Sequence, residues 1–275
     1  MKAYFIKFIG FYINLISYIS PKYAAKLAIK LFSTPQKGRL NEEQNQYLST
    51  AIQENIIHEN ISIKTYYWQG KKETILLAHG WKSNAFRWKS LIETLTALDY
   101  TIIALDAPAH GNSSGKLFNA LLYSECISIV AKKFKVDTLI GHSVGGTATI
   151  FSQHKKQLES VKKIVSLGAP ADFVDVFKRY ETMMGYNERV SSAMVQYVLE
   201  EFNHLPEYYS APNFIKEIET KILVIHDKKD KVIPYTDGLK FKKNHEKVQF
   251  IGTKGFGHGL KNDIVHNYII DFLNV

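Results

Sequence analysis

The sequence predicts an α/β protein whose mostly parallel central sheet is covered by helices on both faces, and three observations carry that prediction. Short, fully apolar segments alternate with helix-length segments from about residue 55 onward. Strands buried on both faces read as such apolar runs, and strands alternating with helices imply parallel pairing. One of the runs, Asp137-Thr-Leu-Ile140, leads directly into Gly141-His-Ser143-Val-Gly145 and then into helix-forming sequence. Between Pro170 and Thr220 the alternation stops for about fifty residues, where a crossover between parallel strands needs only about a dozen.

The elements follow in order. Residues 1–20 are rich in aromatic and β-branched side chains, and Pro21 opens a second helical segment bearing alanines and lysines. Only fourteen residues separate Lys7 from Lys22, Asn14, Ser17 and Ser20 among them, short of the roughly 20 apolar residues that a spanning helix needs. No small-x-small cleavage site completes a signal peptide. Two readings stand for residues 1–30. They form an amphipathic helix pair packed on the domain, or one lying in a membrane interface with Lys2, Lys7, Lys22, Lys26 and Lys30 toward anionic headgroups.

Strands are expected at 61–68, 73–78, 101–105, 138–140, 163–167, 221–225 and 248–251, and helices at 85–99, 117–134, 145–156 and 264–273. In the first of these helices Phe86, Trp88, Leu91, Leu95 and Leu98 recur near a period of 3.6. The stretch 171–220 follows the sixth core strand and holds Met183, Met184, Met194 and several tyrosines in two or three short helices. Methionine and tyrosine suit adaptable apolar binding, so this insert is expected to be a helical cap shaping a substrate pocket. The expected division is an N-terminal helical segment (1–54), a core (55–170 and 221–275) and the cap (171–220).

Composition is that of a soluble globular protein, 45% hydrophobic and 22% charged. The single cysteine, Cys126, excludes an intramolecular disulfide and fits a reducing, cytoplasmic compartment; its apolar surroundings point to a buried, inert thiol. The net charge of +9 comes from lysines spread along the chain in pairs such as Lys132-Lys133 and Lys242-Lys243. No nucleic-acid-binding motif accompanies them, so a solvated basic surface is expected and nucleic acid is not an expected partner. Nothing in the sequence sets an oligomeric state.

The chemistry concentrates at Ser143. A serine between two glycines on a sharp strand-to-helix turn is held in strained backbone angles that lift its hydroxyl clear of the sheet, and the glycines let strand and helix approach. Three more segments follow strands: Leu76-Leu-Ala-His79-Gly80-Trp81, Asp106-Ala-Pro-Ala-His110-Gly111-Asn-Ser-Ser, and Ile225-His226-Asp227-Lys-Lys-Asp230-Lys-Val-Ile-Pro234. Of the later histidines, His245 precedes the last strand and His266 falls within the final helix, on its expected surface. His258, in Gly255-Phe-Gly-His258-Gly, sits in a glycine-rich loop just past that strand. A general base must reach both serine and acid, which suits such a loop.

Taken together and in this order, these motifs resemble the α/β-hydrolase fold from about residue 60 to the C-terminus. The resemblance implies Ser143 as nucleophile, Asp230 as acid (matched on Val232-Ile233-Pro234) and His258 as base. It also implies the backbone N–H groups of Trp81 and Val144 as an oxyanion hole. Asp227 is then a turn former, His79 a loop-bonding side chain, His142 a neighbour shaping the elbow, and Asp106 with His110 loop scaffolding rather than a metal site. Ala109 departs from the glycine the family often has there. The implied activity is a serine hydrolase acting on a carboxylic ester or related small-molecule acyl substrate, with no cofactor or metal. Esterase, lipase, thioesterase, carbon–carbon bond hydrolase and acyltransferase share this machinery and are not separated by sequence. A non-catalytic binding protein on the same scaffold is the alternative from another class.

Overall fold

In the computed structural model, residues 2–244 and 248–275 are described; His245, named above, lies outside them. The strands are β1 (Ile52–His58), β2 (Ile61–Trp68), β3 (Thr74–Ala78), β4 (Thr101–Leu105), β5 (Thr138–His142), β6 (Lys163–Leu167), β7 (Lys221–Asp227) and β8 (Val248–Thr253). They form one sheet in the order β1-β2-β4-β3-β5-β6-β7-β8. β2 pairs antiparallel with β1 and β4, and every pairing from β4 through β8 is parallel. The helices are α1 (Lys2–Ile19), α2 (Pro21–Ser33), α3 (Glu42–Leu48), α4 (Lys89–Ala97), α5 (Ala120–Phe134), α6 (Val144–Lys156), α7 (Phe173–Met184), α8 (Glu188–Phe202), α9 (Ala211–Phe214), α10 (Tyr235–Asn244) and α11 (Asp263–Leu273).

The apolar runs are the centre of the sheet. All five residues of β4 and of β5 are buried, and register places Leu76 beside Ile103 and Leu77 beside Ile140. Side chains pointing to both faces are therefore removed from water, the arrangement that helices on both sides of a parallel sheet require. Cys126 is fully buried in α5, where burial first and Glu125 second push its thiol up to about 12.

Several boundaries move for local reasons. The expected helix at 117 begins at Ala120, because Asn119 caps it by accepting from the Leu122 N–H at 2.8 Å. The expected helix at 85–99 is a 3₁₀ turn (Ala85–Trp88) followed by α4. β1 is not among the expected strands, and its first three residues fall inside the N-terminal helical segment expected at 1–54. His266 is not on the surface of α11 but 7% exposed, because it shares a face with the buried Ile269 and Leu273.

The chain divides into two compact units, Met1–Thr34 with Asp172–Ser210, and Pro35–Ala171 with Ala211–Val275. The first is helical: α1 and α2 pack with α7 and α8. Gly10 in α1 allows the closest approach, since a Cβ there would lie 1.9 Å from the Met184 carbonyl oxygen at the end of α7. Asn14 then donates to the Gly185 carbonyl at 2.8 Å and accepts from the Asn187 N–H at 2.9 Å. Tyr180 donates to the Ala28 carbonyl at 2.9 Å, and its ring packs on Phe32. The second unit holds the whole sheet and every residue of the site described next.

Candidate active site

Ser143 sits between β5 and α6 at φ 54°, ψ −129°, a conformation that costs a non-glycine residue about 1–3 kcal/mol and persists only where its surroundings enforce it. Here they do. The Ser143 N–H donates to the Leu167 carbonyl at the end of β6, 2.8 Å away. Glycine is required on both sides because backbone passes too close for a side chain. A Cβ on Gly141 would lie 2.4 Å from the Gly145 carbonyl oxygen, and one on Gly145 would lie 2.3 Å from that of Ala78. Neither obstacle is a side chain that can swing away. Gly145→Ala is therefore expected to cost about 3 kcal/mol or more, read as a lowered urea midpoint; an unchanged midpoint would show the elbow to be looser than its geometry implies.

The structure brings Ser143, His258 and Asp230 together from loops that follow β5, β8 and β7. Their Oγ···Nε2 distance is 3.1 Å and Nδ1···Oδ2 is 2.7 Å. The Asp230 side chain is fully buried while that of His258 keeps a fifth of its surface. Burial of Asp230 favours its neutral form, but hydrogen bonds from His258, Ile233 and Val232 outweigh this and hold the carboxyl below the usual range. The carboxylate thus remains charged beside the ring, which fixes a tautomer with Nδ1 protonated and Nε2 free to accept from Ser143.

Four contacts tie down the loop that carries His258. Asp227 accepts from the N–H groups of Phe256 and Gly255, His142 Nε2 donates to the His258 carbonyl at 2.7 Å, and Arg87 donates to the Gly259 carbonyl at 2.8 Å. Asp227 also accepts from Thr253 and from the Lys229 N–H. Burial opposes its charge, yet bonds from Phe256, Lys229, Thr253 and Gly255 bring its pKa to about 2. It forms the expected turn and, beyond that, joins the Asp230 loop to the His258 loop. These ties span as many as 172 residues of chain, and no local sequence signal marks them.

Trp81 lies on the loop after β3 and Val144 opens α6. A Cβ on Gly80 would lie 2.8 Å from the Ser143 Cβ, so the backbone entering Trp81 passes against the serine. The peptides on both sides of Trp81 are held by histidines. His79 Nδ1–H donates to the Gly80 carbonyl at 2.8 Å while its Nε2 accepts from the Ala107 N–H at 2.9 Å. Reciprocally, His110 Nε2 accepts from the Lys82 N–H at 3.0 Å and its Nδ1–H donates to the Pro108 carbonyl. Each loop thus sends a ring into the other. Val144 is in the first turn of its helix, where N–H groups lack intrahelical carbonyls. Asp106 accepts from Tyr66 at 2.7 Å and from the Ala85 and Asn112 N–H groups at 2.8 Å. With His110 it is spent on the loops. Ala109 adopts φ 64° in the same turn.

The two buried rings, His79 and His142, are held neutral. Burial holds His79 down to about 3, and burial with the nearby Arg87 keeps His142 well below the ordinary histidine range. In the unfolded chain both take a proton near pH 6.5. The unfolded state therefore binds more protons just below that pH, and stability falls by about 1.4 kcal/mol per pH unit for each buried neutral ring. Urea midpoints are expected to be clearly lower at pH 5.5 than at pH 7; equal midpoints would mean that these rings protonate in place.

Comparison with known proteins gives a consistent fold. A family model described as alpha/beta hydrolase fold matches residues 73–188. A probable serine hydrolase of Drosophila melanogaster is 35% identical over 109 residues, 36% of this chain and 32% of that one. Pimeloyl-[acyl-carrier protein] methyl ester esterase of Vibrio atlanticus is 25% identical over 155 residues, 54% of this chain and 56% of that protein. The matches thus span a third to just over half the length of these relatives. Among solved structures, Est1E from Butyrivibrio proteoclasticus with ferulic acid bound superposes with a TM-score of 0.66 at 15% identity, covering 81% of this chain and 100% of that one. At that identity the likeness is one of fold.

Proposed function

The chain has the α/β-hydrolase fold, and on that scaffold we propose that it is a serine hydrolase acting on a carboxylic ester or related acyl compound. One observation carries the reading: a hydrogen-bonded chain from Asp230 through His258 ends on a serine held at φ 54° at the tip of β5. Ser143 Oγ attacks the acyl carbon while its proton passes to His258 Nε2. The oxygen that gains charge is met by the N–H groups of Trp81 and Val144, preorganised donors of a kind each worth about 10²–10³ in rate. The ester C–O bond then breaks and the alcohol leaves with the proton from His258. Water, deprotonated by the same ring, releases the acid and restores Ser143. The two curated relatives, one named a probable serine hydrolase and the other a methyl ester esterase, support this class.

A fluorophosphonate probe, which phosphonylates activated serines, is the test. The folded wild type is expected to label stoichiometrically at the peptide containing Ser143. A folded protein that does not label sinks the hydrolase reading and leaves a binding protein on the same scaffold. With labelling in hand, p-nitrophenyl esters from acetate to dodecanoate report the acyl length preferred.

A further inference from the structure

Helix α1 is built inside out. The side it turns into its own unit carries Gly10, Ile13 and Ser17, all buried, with Asn14 spent on Gly185 and Asn187. The opposite side carries Phe5, Phe8, Phe11, Tyr12, Leu15 and Tyr18, each between 47% and 66% exposed. At 3.6 residues per turn these six, with Tyr4 and Ile19 beside them, occupy one continuous arc of about 140°. Isolated exposed apolar residues are ordinary, but an aromatic stripe along a whole helix marks an interaction surface. Packing within the unit cannot be its purpose, because that task already falls to the other side.

The charge of the segment says what covers the stripe. From Met1 to Asn41 the chain has seven basic residues (Lys2, Lys7, Lys22, Lys26, Lys30, Lys37 and Arg39) and no acidic one, within a protein of net charge +9. Lys7 is spent inside the unit, donating to the Thr182 carbonyl at the end of α7, and Lys22 pairs with Glu200 at 3.0 Å. Lys26 and Lys30 lie one turn apart on the exposed side of α2. Among the described residues no helix is long and apolar enough to cross a membrane. Phenylalanine that inserts, tyrosine that favours the headgroup level and lysines on an adjoining helix are what an interfacial element needs.

We propose that the exposed face of α1 docks the protein flat on an anionic lipid surface, with Lys26 and Lys30 of α2 contributing attraction to the headgroups. The proposal takes up the interfacial reading of residues 1–30, while the other side of α1 packs within its own helical unit.

Cosedimentation of the 275-residue chain with vesicles tests this without reference to substrate or activity, so its outcome is independent of the hydrolase reading. The wild type is expected to pellet with phosphatidylcholine vesicles containing a quarter phosphatidylglycerol, and to be released by high salt. Phe5→Ser/Phe8→Ser/Phe11→Ser/Tyr12→Ser alters only outward side chains, so an unchanged circular dichroism spectrum is expected with at least tenfold weaker binding. Lys26→Gln and Lys30→Gln should each weaken binding about fivefold, the contribution of one basic residue near an anionic surface. A wild type that stays in the supernatant overturns the proposal. So does a concentration-dependent dimer, seen by sedimentation equilibrium, that the fourfold variant no longer forms, since the stripe would then belong to a second copy of the chain.

Discussion

Ser143→Ala is expected to lower kcat on a p-nitrophenyl ester by about 10⁶-fold while leaving the free energy of unfolding, measured in urea, within about 0.5 kcal/mol of wild type. The first half follows from removing the atom that would form the acyl-enzyme. In the proposed mechanism His258 then has no hydroxyl to deprotonate, and the N–H groups of Trp81 and Val144 act only on attack by free water. The second half follows from the structure of the elbow. Its strain is imposed by the Leu167 carbonyl that holds the Ser143 N–H and by the glycines at 141 and 145, none of which needs the hydroxyl. Alanine occupies the same backbone angles at the same cost. The contrast between a lost rate and an intact fold separates a nucleophile from a structural serine. Wild-type turnover by a folded Ser143→Ala protein would remove Ser143 from the reaction altogether.

The parts of this molecule legible in its sequence are those written in contiguous residues. β3 through β7 announce themselves as apolar runs because both of their faces are buried, and the elbow is visible because three of its five positions are fixed by local sterics. β1, by contrast, is an edge strand with polar Gln53, Glu54 and Asn55 and only Ile56 buried, so neither an apolar run nor strict alternation marks it. α3 carries a local signal of its own: Asn41 and Gln44 form a reciprocal capping box. The support of the site is legible only in part. The resemblance implies that His79, and Asp106 with His110, bond the loops. It does not imply that His79 and His110 clamp one another's loops or that Arg87, His142 and Asp227 fix the loop of His258. Those contacts are made only when distant loops converge at one edge of the sheet. At α1 periodicity gives an apolar stripe but not its direction; in the structure Gly10, Ile13 and Ser17 are buried and the aromatic side is exposed.

Two aspartates stand near His258, and substituting each separates their tasks. Asp230→Asn is expected to lower kcat by about 10⁴-fold with little change in KM. An amide has the shape of a carboxylate but presents N–H₂ or a neutral oxygen to Nδ1, so the ring no longer has a fixed tautomer and its protonated form loses the charge that stabilises it. Oδ1 of this residue also accepts from the Val232 and Ile233 N–H groups. The amide oxygen is expected to keep those bonds, which turns the nitrogen toward His258 and favours the unproductive tautomer. Asp227→Asn strikes a different function. Its carboxylate receives four hydrogen bonds, from Lys229, Thr253, Gly255 and Phe256, and an amide can accept through only one of its two heavy atoms. At least one buried donor is orphaned, at a cost of about 1–3 kcal/mol, so a lower urea midpoint is expected with a rate loss far smaller than that of Asp230→Asn. The low pKa of Asp227, about 2, adds a pH signature. Wild-type stability held by this carboxylate is present above the unfolded value near 3.9 and is lost as pH falls toward 2, whereas Asp227→Asn should lack that part of the acid dependence. If Asp227→Asn instead gave the larger loss of kcat at unchanged stability, the acid would have to be reassigned to the earlier aspartate.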